Sequence, residues 1–381
     1  IDTTGSWSGT LAGSGGSDVL VANANDNTFI ITGGANQGTF DGNAFDNVEN
    51  LEAGSGDDTF DIRDGGSIDT LDGGGQATGD TLTYASRTGP VTVDLETTSN
   101  STGIDTSFTE IEAYVGEDTD STLSGLSTGS TFVVNGTNDG TIDGDAFTDW
   151  TDLTGGGGDD TFDIRDGGSI DTLDGGGQTT ADTLTYASRT GPITVNLETD
   201  FATGLAPSGL NGIETVVGSG DTGDEVVGPN AGATFNITAA DAFETGGIDF
   251  SAIENIKGRG GDDTFSVGGA MTGDLRGGGG NDQFTIAGGS ANLLDGEAGS
   301  DDELVGQNIA NTFNITGTDA GDLNGQSFQN IEDLTGGTDP DDFEFANGGD
   351  ISGTVDGGSG GIDTLDYDID NFGSGVIVNL E

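Results

Sequence analysis

The chain has 381 residues, of which 74 are Gly and 31% are hydrophobic, and its formal net charge is −61. So little apolar volume excludes thick globular cores, and the negative charge disfavours binding to nucleic acid or to anionic membranes. The sequence contains no Cys and no His, which excludes disulfides, thiol chemistry and imidazole catalysis. No apolar run is long enough to span a bilayer, so we expect no membrane insertion.

Three repeat units follow one another, at residues 1–96, 97–198 and 199–381. The first two end in DTLTYASRTGPVTVDLE and DTLTYASRTGPITVNLE, displaced by 102 residues. The third unit is longer because a block is duplicated inside it, so that TFNIT at Thr234 returns at Thr312, 78 residues later. Repeats of this kind predict one continuous solenoid in which each unit stacks on its neighbours.

Within the units, a large apolar residue recurs about every 9 to 11 positions, as at Phe29, Phe40, Leu51 and Phe60. We call these residues the anchors. Each anchor lies in a short run of Thr, Val, Ile or Phe that is bounded by Gly, Asp and Asn, which is typical of a brief strand between turns. No apolar stripe of helical period is present, so the sequence predicts an all-β chain without helix.

Short strands on a regular spacing predict a parallel β-solenoid. If a duplicated block keeps its environment, it must contain a whole number of coils. The displacements of 102 and 78 residues contain ten and eight anchor segments, and these even counts favour a β-roll with two strands per coil of about 20 residues. The spacing of about 30 residues from Phe29 to Phe60 favours the alternative, a three-sided β-helix of about 30 residues per coil.

The turns carry the chemistry. GGGGDDTFD at Gly155 and GGGGNDQFT at Gly277 both match the pattern GGxGxDxUx. Further turns that lack one Gly of the pattern start at Gly13, Ala53, Gly258 and Gly336. In these turns the chain resembles the hemolysin-type (RTX) calcium-binding repeats. The resemblance implies a right-handed parallel β-roll that holds Ca²⁺ between successive Gly-Asp turns.

Calcium is a hard cation that takes six to eight oxygen ligands, and an Asp two positions before an anchor supplies both charge and oxygen. On a two-strand coil, Asp263, Asp282 and Asp302 align on three consecutive coils, followed after a gap by Asp341 and Asp363. The other candidate calcium ligands are Asp58 with Asp80, Asp160 with Asp182, and Asp18. The alternative for each Asp is a turn residue that bonds to nearby backbone.

Other polar residues point to structural roles. Arg63 and Arg165 lie between aspartates and are expected to pair with them. Tyr84 is expected to pack in the core or at a strand edge. Glu49, Glu254 and Glu332 precede anchors that we assign to the other side of the roll, where they are either ligands or solvated side chains.

These patterns favour a non-enzymatic function: a calcium-stabilised extracellular segment that forms or spaces a cell-surface filament, a surface layer or an adhesin. Its expected partners are calcium ions, copies of itself stacked head to tail, and surface glycans. The alternative is a carbohydrate-binding or polysaccharide-modifying β-helix, because such rods present grooves lined by carboxylates.

Overall fold

The computed structural model describes residues 9–75, 79–117, 119–177 and 181–367. The described residues form 41 β-strands and one short 3₁₀ helix, Thr98–Asn100, and contain no α-helix. The expectation of an all-β chain is therefore confirmed. Across the same residues, no helix has the length and apolarity needed to cross a membrane.

The chain divides into two compact units. Unit 1 comprises Ile1–Ser188 and Gly204–Ile213, and unit 2 comprises Arg189–Thr203 and Glu214–Glu381. The strands of the first half of the chain are β1 Leu11–Ala12, β2 Val19–Val21, β3 Thr28–Ile31, β4 Gln37–Phe40, β5 Asn43–Asp46, β6 Asn50–Glu52, β7 Thr59–Ile62, β8 Ile68–Asp72, β9 Thr81–Thr83, β10 Thr92–Asp94, β11 Ile104–Thr109, β12 Ala113–Val115, β13 Thr122–Ser124, β14 Thr131–Gly136, β15 Asp139–Ile142, β16 Asp145–Thr148, β17 Asp152–Thr154, β18 Thr161–Ile164, β19 Thr172–Asp174 and β20 Thr183–Thr185. Those that follow are β21 Thr194–Asn196, β22 Phe201–Ala202, β23 Leu210–Asn211, β24 Thr215–Val217, β25 Glu225–Val227, β26 Thr234–Ala239, β27 Ala242–Thr245, β28 Ile248–Ser251, β29 Asn255–Lys257, β30 Thr264–Val267, β31 Asp274–Gly279, β32 Gln283–Ile286, β33 Leu293–Ala298, β34 Glu303–Val305, β35 Thr312–Gly317, β36 Ala320–Leu323, β37 Gln326–Gln329, β38 Asp333–Gly337, β39 Asp342–Phe345, β40 Val355–Gly358 and β41 Thr364–Tyr367.

Parallel pairing places anchor beside anchor. In unit 2, Phe265 of β30 pairs with Phe284 of β32, and Phe284 pairs with Leu304 of β34. In unit 1, Phe132 of β14 pairs with Phe162 of β18, which pairs with Leu184 of β20. The anchors of the sequence pattern are therefore neighbours across the sheets, and long parallel sheets are the dominant feature of the fold.

Unit 2 contains two such sheets. Sheet 1 runs β24-β28-β27-β26-β30-β32-β34-β38-β40, and sheet 2 runs β22-β21-β25-β29-β31-β33-β37-β36-β35-β39-β41. From β29 to β34, successive strands alternate between the two sheets.

In the part of the chain that the structure describes, four antiparallel meanders interrupt this alternation. They are β3-β4-β5 and β14-β15-β16 in unit 1, and β26-β27-β28 and β35-β36-β37 in unit 2. A parallel step that contains a meander spans about 30 residues, as from Phe132 to Phe162, whereas the steps from Phe265 to Phe284 and to Leu304 span about 20. The 30-residue spacing from Phe29 to Phe60 therefore marks a meander, whereas other parallel steps of this length, such as Val93 to Leu123, contain none.

The meanders also correct one step of the sequence argument. The first TFNIT, at Thr234, lies in β26 of sheet 1, and its copy at Thr312 lies in β35 of sheet 2. The assumption that both copies share one environment is wrong, because each meander adds two strands to a single sheet. If each three-strand meander is counted as one position, the second copy lies an odd number of positions after the first. Because successive positions alternate between the sheets, the second copy falls in the other sheet.

The core is thin and made of stacked side chains. Phe235, Phe265 and Phe284 are fully buried in one row, with ring centroids 5.0 and 4.7 Å apart and rings nearly parallel. Stacked aromatic pairs add roughly 0.5–1.5 kcal/mol beyond the burial of their area. Tyr84 is also fully buried, as expected for core packing.

Candidate metal centre

In sheet 1, a buried Asp lies two residues before each of the anchors Phe265, Phe284 and Leu304. The backbone N–H of Asp263 donates to Oδ1 of Asp282 at 2.8 Å, and the N–H of Asp282 donates to Oδ1 of Asp302 at 2.7 Å. We call these three residues the aspartate column. The structure therefore brings together the three residues that the sequence aligned.

The column continues at both ends. Ala233 donates its N–H to Asp263 at 2.6 Å, and the N–H of Asp302 donates to Oε2 of Glu332 at 3.0 Å. Each carboxylate thus accepts the amide of the same position on the preceding strand of the sheet. A hydrogen bond to a charged group contributes about 1.5–3 kcal/mol. The column therefore stabilises the stacking of each strand on the next.

The expected pairs of unit 1 are also neighbours. The N–H of Asp58 donates to Asp80 at 2.7 Å, and the N–H of Asp160 donates to Asp182 at 2.8 Å. The N–H of Asp18 donates to Oε2 of Glu49 at 2.8 Å. These contacts repeat the geometry of the aspartate column.

Asp341 and Asp363 do not continue the aspartate column. They precede β39 and β41 of sheet 2, where the N–H of Asp341 donates to Oδ1 of Asp363 at 3.0 Å. The expectation of one column with a gap is therefore wrong for these two residues. Its physical reason is the second meander, which moves the duplicated block to the other sheet.

Glutamates also take part in these contacts, and the sequence argument missed one of them, Glu112. Glu49 and Glu332 occupy the same position as the aspartates, and so do Glu112 and Glu254, which accept the N–H of Asp80 at 2.9 Å and of Asp224 at 3.3 Å. The assignment to the opposite side is wrong for Glu332, which precedes β38 of sheet 1 and accepts the N–H of Asp302. Glu49 and Glu254 precede β6 and β29, which lie in other sheets than the strands that follow Asp58 and Asp263. A signal was available, because each Glu lies two residues before an anchor.

Asp224 is a further buried carboxylate that the sequence argument omitted. It is fully buried and accepts the N–H of Ile193 at 2.8 Å, as well as the N–H and hydroxyl of Ser219. Both of its oxygens are therefore hydrogen bonded. Its turn, GSGDTGDEV, departs from the glycine pattern that identified the other candidates.

In the candidate aspartates, the second carboxylate oxygen, Oδ2, differs from Oδ1 in its hydrogen bonding. Oδ2 is buried and has no hydrogen-bond donor among the described residues in Asp18, Asp58, Asp80, Asp160, Asp263, Asp282, Asp302 and Asp341. A buried carboxylate oxygen without a partner costs free energy, and this cost is relieved by a proton or a cation.

Glycine makes room for this oxygen. A Cβ on Gly277 would lie 2.1 Å from Oδ2 of Asp282, and a Cβ on Gly258 would lie 2.3 Å from Oδ2 of Asp263. In these two motifs the first Gly leaves this space to the aspartate of its own turn, whereas the turn before Asp58 begins with Ala53.

Burial also shifts the acidity of the columns. Desolvation raises the pKa of Asp263 and of Asp302 to about 7, against the lowering effect of the amide that each accepts. Burial likewise raises the pKa of Asp80 and of Asp160 to about 6. These groups therefore change protonation near neutral pH.

The candidate aspartates offer only part of a calcium-binding site. Carboxylate oxygens suit Ca²⁺ chemically, and the unpartnered Oδ2 atoms supply them. However, the described residues contain no group of three or more acidic side chains that could hold one ion. Some turn carbonyls are already used, since Gly156 and Arg259 accept the amides of Gly177 and Gly279 at 2.8 and 3.1 Å. A calcium shell would thus consist of one or two carboxylates, the remaining carbonyls and water.

Two of the arginines form ion pairs with neighbouring aspartates. Arg63 pairs with Asp61 at 2.7 Å and Arg165 with Asp163 at 2.8 Å, which confirms the expected pairing.

No protein-family model matches the chain, and a search of curated proteins finds no relative.

Proposed function

We propose that the chain is a structural, extracellular solenoid segment that spaces or forms a cell-surface filament, a surface layer or an adhesin. In this proposal the strands wind as a two-sided coil of about 20 residues, and each meander enlarges one coil to about 30 residues. The observation that carries it is the parallel register of anchor on anchor, as in Phe265, Phe284 and Leu304. In such an architecture each repeat contacts only its neighbours, which suits a spacer.

We further propose that Ca²⁺ is the counter-ion of the buried columns. Asp263, Asp282 and Asp302 would hold it through their unpartnered Oδ2 atoms, as would Asp58 and Asp160 in unit 1. Bound calcium supplies positive charge where carboxylates are stacked strand upon strand. With a net charge of −61, neutralisation of these groups also lowers the repulsion across the whole chain.

Head-to-tail assembly follows from the same architecture. A parallel sheet exposes unpaired N–H and C=O groups at its edge strands, and a second copy can add its own strands there.

Sedimentation velocity and electron microscopy of the purified chain, in calcium and in a chelator, test this function. We expect elongated particles that lengthen with protein concentration in calcium. Compact particles with no tendency to associate, in either condition, would overturn the assignment as a spacer.

A further inference from the structure

Three of the four meanders contain a hydrogen bond that the fourth lacks. In three of them, the residue that begins the second hairpin turn accepts the backbone N–H of the Thr that begins the first strand. These bonds join Thr28 to Asp41 at 2.9 Å, Thr131 to Asp143 at 2.8 Å, and Thr312 to Asn324 at 2.9 Å. The side-chain oxygen of Asp or Asn thus closes the end of the meander.

In the meander β26-β27-β28 this position is Gly246, which has no side chain to accept the N–H of Thr234. The pairing of β26 with β27 begins only at Asn236 and Glu244. In the other unit-2 meander, pairing already includes Phe313. The first strand and the turn therefore separate at Gly246.

A groove opens at this separation. It has a volume of about 510 Å³, compared with about 240 and 350 Å³ for the grooves beside Asp143 and Asn324. The residues of the groove that carry its chemistry are Leu197, Pro229 and Ile248, which are apolar, Asp200 and Glu244, which are acidic, and Thr234. All of them belong to unit 2.

The charges of the groove select against anionic ligands. Glu244 accepts Nδ2 of Asn236 at 2.9 Å and the N–H of Gly247 at 3.0 Å, and these bonds lower its pKa. It is therefore a carboxylate at neutral pH. Asp200 adds a second acidic side chain at the exposed rim of the groove. A ligand that replaces the missing turn oxygen must consequently carry no negative charge.

We propose that this groove binds the acetamido group of an N-acetylated hexosamine. The acetamide carbonyl accepts the N–H of Thr234, in the place that Asp or Asn side chains fill in the other meanders. Its methyl group packs on Leu197, Pro229 and Ile248, and the sugar hydroxyls donate to the carboxylates of Asp200 and Glu244. A free monosaccharide is the minimal ligand, and repetition along a glycan would add avidity.

The test uses saturation-transfer NMR of the full chain with N-acetylglucosamine, and glucose as the matched sugar that lacks the acetamide. We expect transfer to the acetamido methyl protons and at least about tenfold weaker binding of glucose. Equal binding of glucose, or equal binding of N-acetyl-asparagine amide as a peptide analogue, would overturn the proposal.

The chain supplies its own control variant. Gly246→Asn introduces the capping residue of the other unit-2 meander, Asn324, at a position with φ of 61° where an added Cβ meets nothing within 4 Å. Asn324 adopts φ of 52° at the equivalent position, so the variant is expected to fold. It should abolish the methyl signal while circular dichroism stays unchanged. An undiminished signal in the folded variant would place the sugar elsewhere and refute the site.

Discussion

The close approach of glycine to the aspartate column gives the sharpest prediction for stability. In the variant Gly277→Ala, the new Cβ would lie 2.1 Å from Oδ2 of Asp282, where ordinary contacts lie at 3.4 Å or more. Asp282 is 1% exposed and accepts the N–H of Asp263, so its carboxylate or the turn must shift. Ala53 is accommodated at the equivalent position, and Asp58 there still accepts the N–H of Asn27 at 2.6 Å, so this bond can survive the shift. Overpacking costs typically about 1–3 kcal/mol, and we expect a loss of about this size in the free energy of unfolding.

Gly220→Ala is the matched control. Gly220 also lies in a turn of unit 2, but its added Cβ would meet nothing within 4 Å. Such a change is expected to stabilise the protein slightly, by about 0.4–1 kcal/mol, because Ala restricts the unfolded chain. Urea denaturation followed by circular dichroism measures both variants. Equal stability of the two variants would refute the packing of Gly277 against Asp282.

Other predictions follow from the same contacts. The raised pKa values of Asp263 and Asp302, about 7 against 3.8, mean that the folded chain retains protons that the unfolded chain releases. In chelator, the contribution of these two residues to stability is thus complete below about pH 4 and lost as the pH rises through 7. In the variant D263N/D302N, the urea midpoint should therefore fall less steeply with pH than in the wild type. Phe284→Ala should cost about 4 kcal/mol in urea denaturation, whereas Ile309→Ala, at a side chain 51% exposed, should change stability by less than about 0.5 kcal/mol. Equal effects of these two substitutions would contradict the stacked core. Arg276→Gln, which breaks pairs with Glu225 and Asp274 at a half-exposed position, should cost less than about 1 kcal/mol in the same assay, and a larger loss would show that the pairs are not surface pairs.

The local pattern of the sequence predicted the anchor rows well. Phe265 and Phe284 stack as expected because the spacing of anchors and the Gly-Asp turns are both local features of one step. The same locality identified the aspartate column, since Asp282 precedes its anchor in the perfect motif at Gly277.

The meanders were not predicted, because their strands repeat the same spacing as the parallel steps. Asp143-Gly144 and Asn324-Gly325 are strong hairpin signals, but in the sequence analysis they counted only as boundaries between equal segments. The count of segments therefore exceeded the count of positions along the sheets. The mistaken expectation that Asp341 continues the aspartate column followed from that error.

The buried oxygens could not be inferred from the sequence at all. Whether Oδ2 of Asp282 meets a donor depends on the path of the turn and on the neighbouring strand, and Asp224 shows a turn in which both oxygens are bonded. Likewise, the absence of a capping side chain at Gly246 becomes apparent only when the equivalent turns of the four meanders are compared.

Hydrogen exchange of the column amides tests the central claim, that the aspartate column is where calcium stabilises the chain, most directly. The amides of Asp263 and Asp282 are compared with and without calcium in the wild type and in the variant D263N/D282N/D302N, whose Asn oxygens still accept the amides but carry no charge. We predict that calcium slows exchange at these amides in the wild type only, while the amide of Asp58 responds in both proteins. An equal response of the column in the variant, or no response in the wild type, would contradict the account.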